Sequence, residues 1–413
     1  MLLGDILAKS LTFLITLLLL RLVTPDEYAI YGLFITILAA ANQFTDSGLH
    51  QSFIRFHALY HTDQRARAAQ HFHVAFRGKL LILLATSIVL AVGAEWIGAT
   101  LLGTPAIVAP VRLLAIGVFG SGMFEFAQAA FQARQQFRAL TAMRVAEGAG
   151  KIAIIACVIA LGWFSLEIVF WTYVAVPLIV GIFGMHAVVT HTDRAVSKGW
   201  REVARELYTF GKWMMLTSFA TMFLMRLDVF MVAPMLADNP RDVGLYNAAV
   251  RLCTPLIVLT GSVSTVFFPK AMALRTRGQM RGYVRKTLQV TLPLVAASLL
   301  YLAAIWLALP RWFPNYVDAF PIFALLFLGY AWTIIGNPLT MLMLSMNRAQ
   351  IVAGISLAQL VVTLASHYVF ITLMGVMGAA LSTVLVWFLA GGISMLYIYR
   401  RRERFEVSVE DGI

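Results

Sequence analysis

Long apolar runs separated by short polar stretches recur along the whole 413-residue chain. A helix needs about 20 apolar residues to cross the bilayer core. Twelve runs qualify: 5–23, 28–48, 74–98, 106–131, 145–163, 166–189, 209–236, 243–268, 283–309, 318–345, 350–371 and 374–399. Each predicts one transmembrane helix. The first is read as a helix and not as a signal peptide. It has no basic segment before it, and Arg21-Leu22-Val23-Thr24-Pro25 follows where a small-residue cleavage site would stand.

Composition agrees with an integral membrane protein. The chain is 60% hydrophobic and 13% charged, with mean hydropathy +0.82, against about 45–50% and about 25% in soluble domains. A net charge of +12 would suit a nucleic-acid binder if the charges formed one surface, but they lie in the loops between runs. If the spans alternate and both termini start in the cytoplasm, 26 of the 32 Lys and Arg residues fall on the cytoplasmic side. This is the asymmetry the positive-inside rule expects. The expected topology is therefore twelve crossings, with both ends in the cytoplasm.

The opposite loops, at 24–28, 99–105, 163–166, 237–242, 310–317 and 372–374, are too short to carry a catalytic domain. No G-x-x-x-x-G-K-[ST] and no H-E-x-x-H is present. No enzyme activity is expected. His57, His61, His71 and His73 cluster in one polar stretch without acidic or Cys ligands at matching spacing, which favours a solvated amphipathic loop over a metal site. Cys157 and Cys253 stand far apart in apolar runs, too few for a disulfide framework.

An internal echo suggests two halves. Pro25-Asp26-Glu27-Tyr28-Ala29-Ile30-Tyr31 joins runs 1 and 2, and Pro240-Arg241-Asp242-Val243-Gly244-Leu245-Tyr246 joins runs 7 and 8. Runs 1 and 7 leave the same side, so the halves are parallel repeats. Between them, Trp200, Val203 and Leu207 share one helical face, with Arg201, Glu202, Arg205 and Glu206 elsewhere. This predicts an amphipathic helix on the cytoplasmic surface. The expected division is a six-helix lobe at 1–190, a linker helix at 191–208, a second lobe at 209–400 and a cytoplasmic tail at 401–413. Two such lobes around a central cleft make an all-α, alternating-access transporter.

Particular residues carry a family resemblance over essentially the whole span pattern. Arg21-Leu22-Val23-Thr24-Pro25-Asp26-Glu27-Tyr28 and Asp46-Ser47-Gly48-Leu49 resemble the opening of Wzx-type oligosaccharide flippases of the multidrug/oligosaccharidyl-lipid/polysaccharide (MOP) exporter superfamily. Asp228, Val243-Gly244-Leu245-Tyr246-Asn247-Ala248-Ala249 and Phe268-Pro269 are similar to the start of that family's second half. The stretch before the first run is shorter than the family's. The resemblance implies a MOP-type fold and flipping of polyprenyl-diphosphate-linked oligosaccharide to the outer leaflet. It also implies coupling to an ion gradient, Na+ or H+, with no covalent step and no other cofactor. Such a substrate serves capsule, exopolysaccharide or O-antigen synthesis, with a glycan polymerase as a further partner.

Charged residues at membrane depth are the candidate site, because each costs about 2.5–3.5 kcal/mol to insert. For the diphosphate the candidates are Arg226, Arg251, Arg55 and Arg21, whose planar guanidinium suits phosphate. Arg21 and Arg55 stand at span ends, where snorkelling to the interface is the alternative. For Arg226 and Arg251 the alternative is a structural ion pair. For ion coupling or cavity polarity the candidates are Asp46, Asp228, Glu125, Asn42 and Asn247. Asn42 and Asp46 share a face, and Ser121, Glu125, Gln128 and Gln132 form a stripe, as do Ser356, Gln359, Thr363, Ser366 and His367. Interhelical hydrogen bonding is the alternative for these stripes. Pro177, Pro255, Pro293, Pro321 and Pro338 stand within runs as hinges or static kinks. A MATE-like exporter of organic cations is the competing function. It calls for an acidic cavity with few arginines, against the arginines seen here.

Overall fold

The computed structural model describes residues 2–401 except 47, 61–64, 191–198, 275 and 346–348. The expected tail beyond residue 401 and most of the segment before Trp200 lie outside the described residues, as does His61. The described residues form helices joined by short turns, without a strand. The helices are α1 Leu2–Leu22, α2 Pro25–Asp46, α3 Leu49–Tyr60, α4 Arg65–Glu95, α5 Val108–Ala133, α6 Phe137–Ala160, α7 Leu166–Thr190, α8 Trp200–Met235, α9 Pro240–Leu252, α10 Thr254–Met272, α11 Arg277–Trp312, α12 Ala319–Ser345 and α13 Ala349–Arg401.

Among the described residues, eight helical segments are long and apolar enough to cross a membrane. The last, Gly354–Arg400, turns back at Gly375 (φ 58°, ψ −138°) and so supplies two arms. With α1, α6 and α8, of 21, 24 and 36 residues, these account for the twelve expected crossings. The eighth crossing is broken at Cys253 into α9 and α10, with Pro255 in the first turn of α10. A proline there removes a donor that the helix start does not need.

Contacts divide the chain into two units: Met1–Leu19 with Ile30–Val229, and Leu20–Ala29 with Phe230–Ile413. This departs from the expected lobes at 1–190 and 209–400, and the contacts give the reason. The expected separate linker helix is the beginning of α8, which runs unbroken to Met235. Val203 and Leu207 are buried in the first unit, while Trp200 is exposed. Arg67 reaches Glu206 Oε1 at 2.6 Å, and Phe44 meets Phe219 with ring centroids 5.2 Å apart. At the α1–α2 turn, Tyr316 donates to the Val23 carbonyl at 3.0 Å and meets Tyr28 edge-on at 5.7 Å. That turn therefore belongs to the second unit.

In the first unit α5 packs chiefly on α7 and α4. Phe53 of α3, Phe72 of α4 and Phe126 of α5 form an aromatic core. This overturns the solvated histidine loop. His57 and His71 are buried; His57 Nδ1 lies 3.0 Å from the Ala68 carbonyl, and His71 Nε2 lies 3.0 Å from Glu206 Oε2. The apolar partners of α3 are residues distant in sequence, so its periodicity alone does not reveal burial. In the second unit α12 packs on α13, α10 and α11. The two arms of α13 are joined by Ser366–Ser382 at 2.6 Å and by His367 to Ser382 and Thr383 at 2.8 and 3.3 Å. Ser366 and His367 of the expected stripe thus serve interhelical hydrogen bonding.

Candidate functional site

The first unit gathers one polar cluster from α2, α3, α4 and α5. Asn42 and Asp46 are one turn apart on α2, and Ser121 and Glu125 one turn apart on α5, as their spacing expects. The Ser121 hydroxyl lies 2.7 Å from Asn42 Oδ1 and 2.8 Å from the Gly117 carbonyl. Asp46 and Glu125 are partly buried. Lys79 of α4 interacts electrostatically with both carboxylates. It is fully buried and donates to the Thr45 carbonyl and hydroxyl at 3.1 and 3.2 Å. A buried ammonium is costly unless its donors are met, and the two Thr45 oxygens meet part of that demand.

Gly48, with φ 68°, makes the corner between α2 and α3. A side chain there would strike the Gly211 carbonyl of α8, because its Cβ would lie 2.2 Å away. The tight corner points α3 so that His50 meets Asp46, with Nδ1 to Oδ1 at 3.1 Å. Burial, and then the Lys79 charge, hold the His50 imidazole well below its ordinary pKa of 6.5. The contact is therefore a neutral imidazole hydrogen bond and not an ion pair.

By sequence position alone Lys79 falls among the cytoplasmic loop charges. Its position six residues into the apolar run 74–98 was the available signal, since a charge at that depth demands a partner. Lys151 falls there in the same way. It pairs with Glu147 on α6 and sits 4.2 Å over the Tyr173 ring, whose hydroxyl lies 2.8 Å from that of Tyr31. Further along α5, Gln128 accepts from Arg144 Nε at 2.6 Å.

The four candidate arginines are divided between the units. In the first, Arg55 is exposed on α3, with its guanidinium 4.5 Å over the Phe210 ring. That contact supports a positioned side chain at the helix surface. Arg226 and Asp228 are partly buried on α8, two residues apart and so on different faces. In the second, Arg21 is exposed in the last turn of α1, and Arg251 is partly buried in the last turn of α9. Asn247, one turn before Arg251, is buried, and its amide nitrogen has no hydrogen-bond partner among the described residues. A buried donor without an acceptor is unusual, and Arg251 stands one turn away on the same face of α9. Among the described residues, no three His, Cys, Asp or Glu side chains are grouped to hold a metal ion.

Comparison with known proteins extends this picture. A family model described as polysaccharide biosynthesis protein matches residues 18–310. A putative O-antigen transporter of Shigella flexneri is 27% identical over 188 residues, and the match spans 43% of this chain and 43% of that protein's length. Among solved structures, the lipid II flippase MurJ in an inward closed conformation superposes with a TM-score of 0.74 at 13% identity, over 98% of this chain and 90% of that one. An inward-facing multidrug resistance MATE family transporter of the MOP superfamily gives 0.75 at 14% identity, over 98% and 96%. A MOP superfamily transporter from Pyrococcus furiosus gives 0.65 at 12%, over 98% and 95%. These likenesses establish the expected MOP-type transporter fold. With its family match covering more than half of its length, the chain belongs to the polysaccharide biosynthesis protein family.

Proposed function

We propose that this protein flips a polyprenyl-diphosphate-linked oligosaccharide from the inner to the outer leaflet of the bacterial cytoplasmic membrane, by alternating access, for cell-surface polysaccharide synthesis. The observation that carries the reading is the family match over residues 18–310. The relative described as a putative O-antigen transporter supports it. The chemistry agrees: the partly buried carboxylates Asp46 and Glu125 lie within the field of a cation of the chain itself, Lys79, which disfavours a cationic cargo.

In this reading Arg226 contacts phosphate oxygens in the first unit, and in the second unit Arg251 does so with Asn247 as a neighbouring donor. Asp46 and Glu125, poised beside Lys79, exchange the coupling ion, Na+ or H+. Asn42 completes the polar face, and Asp228 is the corresponding acid on α8. Arg21 and Arg55 guide the phosphate at the span ends. The work is conformational, with no covalent bond made or broken, and both termini lie in the cytoplasm. A glycan polymerase receives the product.

The test is depletion of the protein in its own cells, followed by mass spectrometry of polyprenyl-diphosphate glycans. Accumulation of one intact repeat unit is expected. A truncated glycan would point to an enzymatic step, and no accumulation would favour the cation exporter.

A further inference from the structure

The second unit contains a groove of ≈ 950 Å³ over α12, walled by the first turns of α11 and the last turns of α13. Its two ends differ in chemistry. The α11 wall begins with Arg281, Arg285 and Gln289, spaced four residues apart and so stacked in a single row. A capping box fixes the start of this helix: Thr276 Oγ1 accepts from the Gln279 amide at 3.3 Å, and Gln279 Oε1 accepts from the Thr276 amide at 3.2 Å. Both arginines are exposed, and neither has an ion pair among the described residues. The remaining walls are apolar, with Leu288 and Leu292 on α11, Ile335 and Leu339 on α12, and Met395 and Ile398 on α13.

Two side chains brace the walls. Tyr283 donates to the Pro338 carbonyl at 2.8 Å and ties α11 to α12. Trp332 lies against Gly391, donates to the Trp387 carbonyl at 3.2 Å and stacks on Phe388 at 4.7 Å. Its ring is thereby fixed as part of the α12 wall.

We propose that this groove binds an anionic glycerophospholipid, with its phosphate on Arg281 and Arg285 and an acyl chain along the apolar walls. Arginine pairs recognise phosphate through forked, charge-assisted hydrogen bonds. Basic pockets between membrane helices take phospholipid head groups on the same logic. The occupant is an anionic amphiphile because two unpaired arginines repel an organic cation, and a free sugar has no use for the aliphatic walls. It is a glycerophospholipid and not the glycan-bearing lipid because, besides the arginines, the described lining residues offer as polar side-chain groups Gln289, the Tyr399 hydroxyl and the already bonded Trp332 indole. That is enough for a phosphate and too little for a chain of sugars. The inference stands apart from the proposed flipping reaction.

Native mass spectrometry of the purified full chain, titrated separately with phosphatidylglycerol, phosphatidylethanolamine and polyprenyl monophosphate, tests it. One phosphatidylglycerol is expected to survive per chain, in preference to the zwitterionic lipid. The double substitution Arg281→Gln/Arg285→Gln should weaken it roughly tenfold or more. Leu288→Trp, which fills the groove and leaves the charge intact, should also weaken it. Arg201→Gln/Arg205→Gln, at exposed arginines of α8, should leave it unchanged. Equal binding of both phospholipids, full binding by the Arg281/Arg285 variant, or retention of polyprenyl monophosphate alone would each overturn the proposal.

Discussion

Gly244 and Pro25 pack backbone to backbone: a Cβ placed on Gly244 would lie 1.8 Å from the Pro25 carbonyl oxygen and 3.2 Å from the Ala29 amide nitrogen. Gly244 and Ala29 occupy the same place in the repeated motif, so the two copies of that motif cross at matching positions. Tyr31 and Tyr246, also matched, are both fully buried.

Gly244→Ala should therefore be strongly destabilising, because the group it strikes is backbone and cannot rotate away. A cost of about 1–3 kcal/mol is expected for overpacking of this kind. Ala29→Gly, on the other side of the crossing, should cost about 0.5–1 kcal/mol through helix propensity alone. Thermal unfolding of the two variants in detergent, monitored by circular dichroism, checks the contrast. Equal melting temperatures would contradict the crossing.

Lys79→Met should lower stability by about 1–3 kcal/mol, because the Thr45 oxygens lose a buried donor and Glu125 and Asp46 lose the charge that acts on them. The second substitution in Lys79→Met/Glu125→Gln removes one of the carboxylates left behind and should recover part of that loss. A double-mutant cycle reads the coupling directly. Additive effects would mean that Lys79 and Glu125 do not interact.

His50 makes stability depend on pH with a definite sign. Its native pKa is held well below 6.5 by burial and by the Lys79 charge, while the unfolded imidazole takes up a proton near 6.5. Below that value the unfolded state binds more protons than the native one, so this contribution to stability is lost as pH falls. His50→Gln keeps a donor for Asp46 and does not titrate. Melting temperatures measured between about pH 5 and 8 should fall more steeply on the acid side for the parent chain than for the variant. Parallel curves would contradict a neutral buried His50.

Arg226→Ala and Arg251→Ala should each reduce transport of the lipid-linked glycan by about tenfold or more at normal expression. The corresponding lysine variants should retain part of it, since an ammonium keeps the charge but loses the planar fork. Accumulated polyprenyl-diphosphate glycan in cells carrying each variant is the measurement. Full activity of both alanine variants would remove these arginines from the diphosphate site.

Glu206 accepts from Arg67 and contacts the buried His71. Glu206→Ala should cost about 1–3 kcal/mol, because it strips the partner from a buried polar ring. It should also expose the start of α8 to hydrogen exchange, whereas Glu202→Ala, at an exposed carboxylate 3.5 Å from Arg67, should do neither. Mass-spectrometric exchange of the Trp200–Leu207 segment separates the two.

The twelve crossings, the kinship of the two helical hairpins, the face shared by Asn42 and Asp46 and that shared by Ser121 and Glu125 were legible in the chain itself. Apolar length, loop charge and helical spacing are local properties, because a bilayer demands twenty apolar residues whatever their neighbours. Tertiary structure alone decided that Lys79 lies within the field of two carboxylates and that His57 and His71 are buried. It also decided that the Trp200–Leu207 segment is the root of α8, and that the α1–α2 turn joins the second unit. Each of these depends on which helix comes to lie beside which. The same lysine is a loop anchor at a free helix end and a buried donor to Thr45 once α2 lies beside α4, and only packing distinguishes the two.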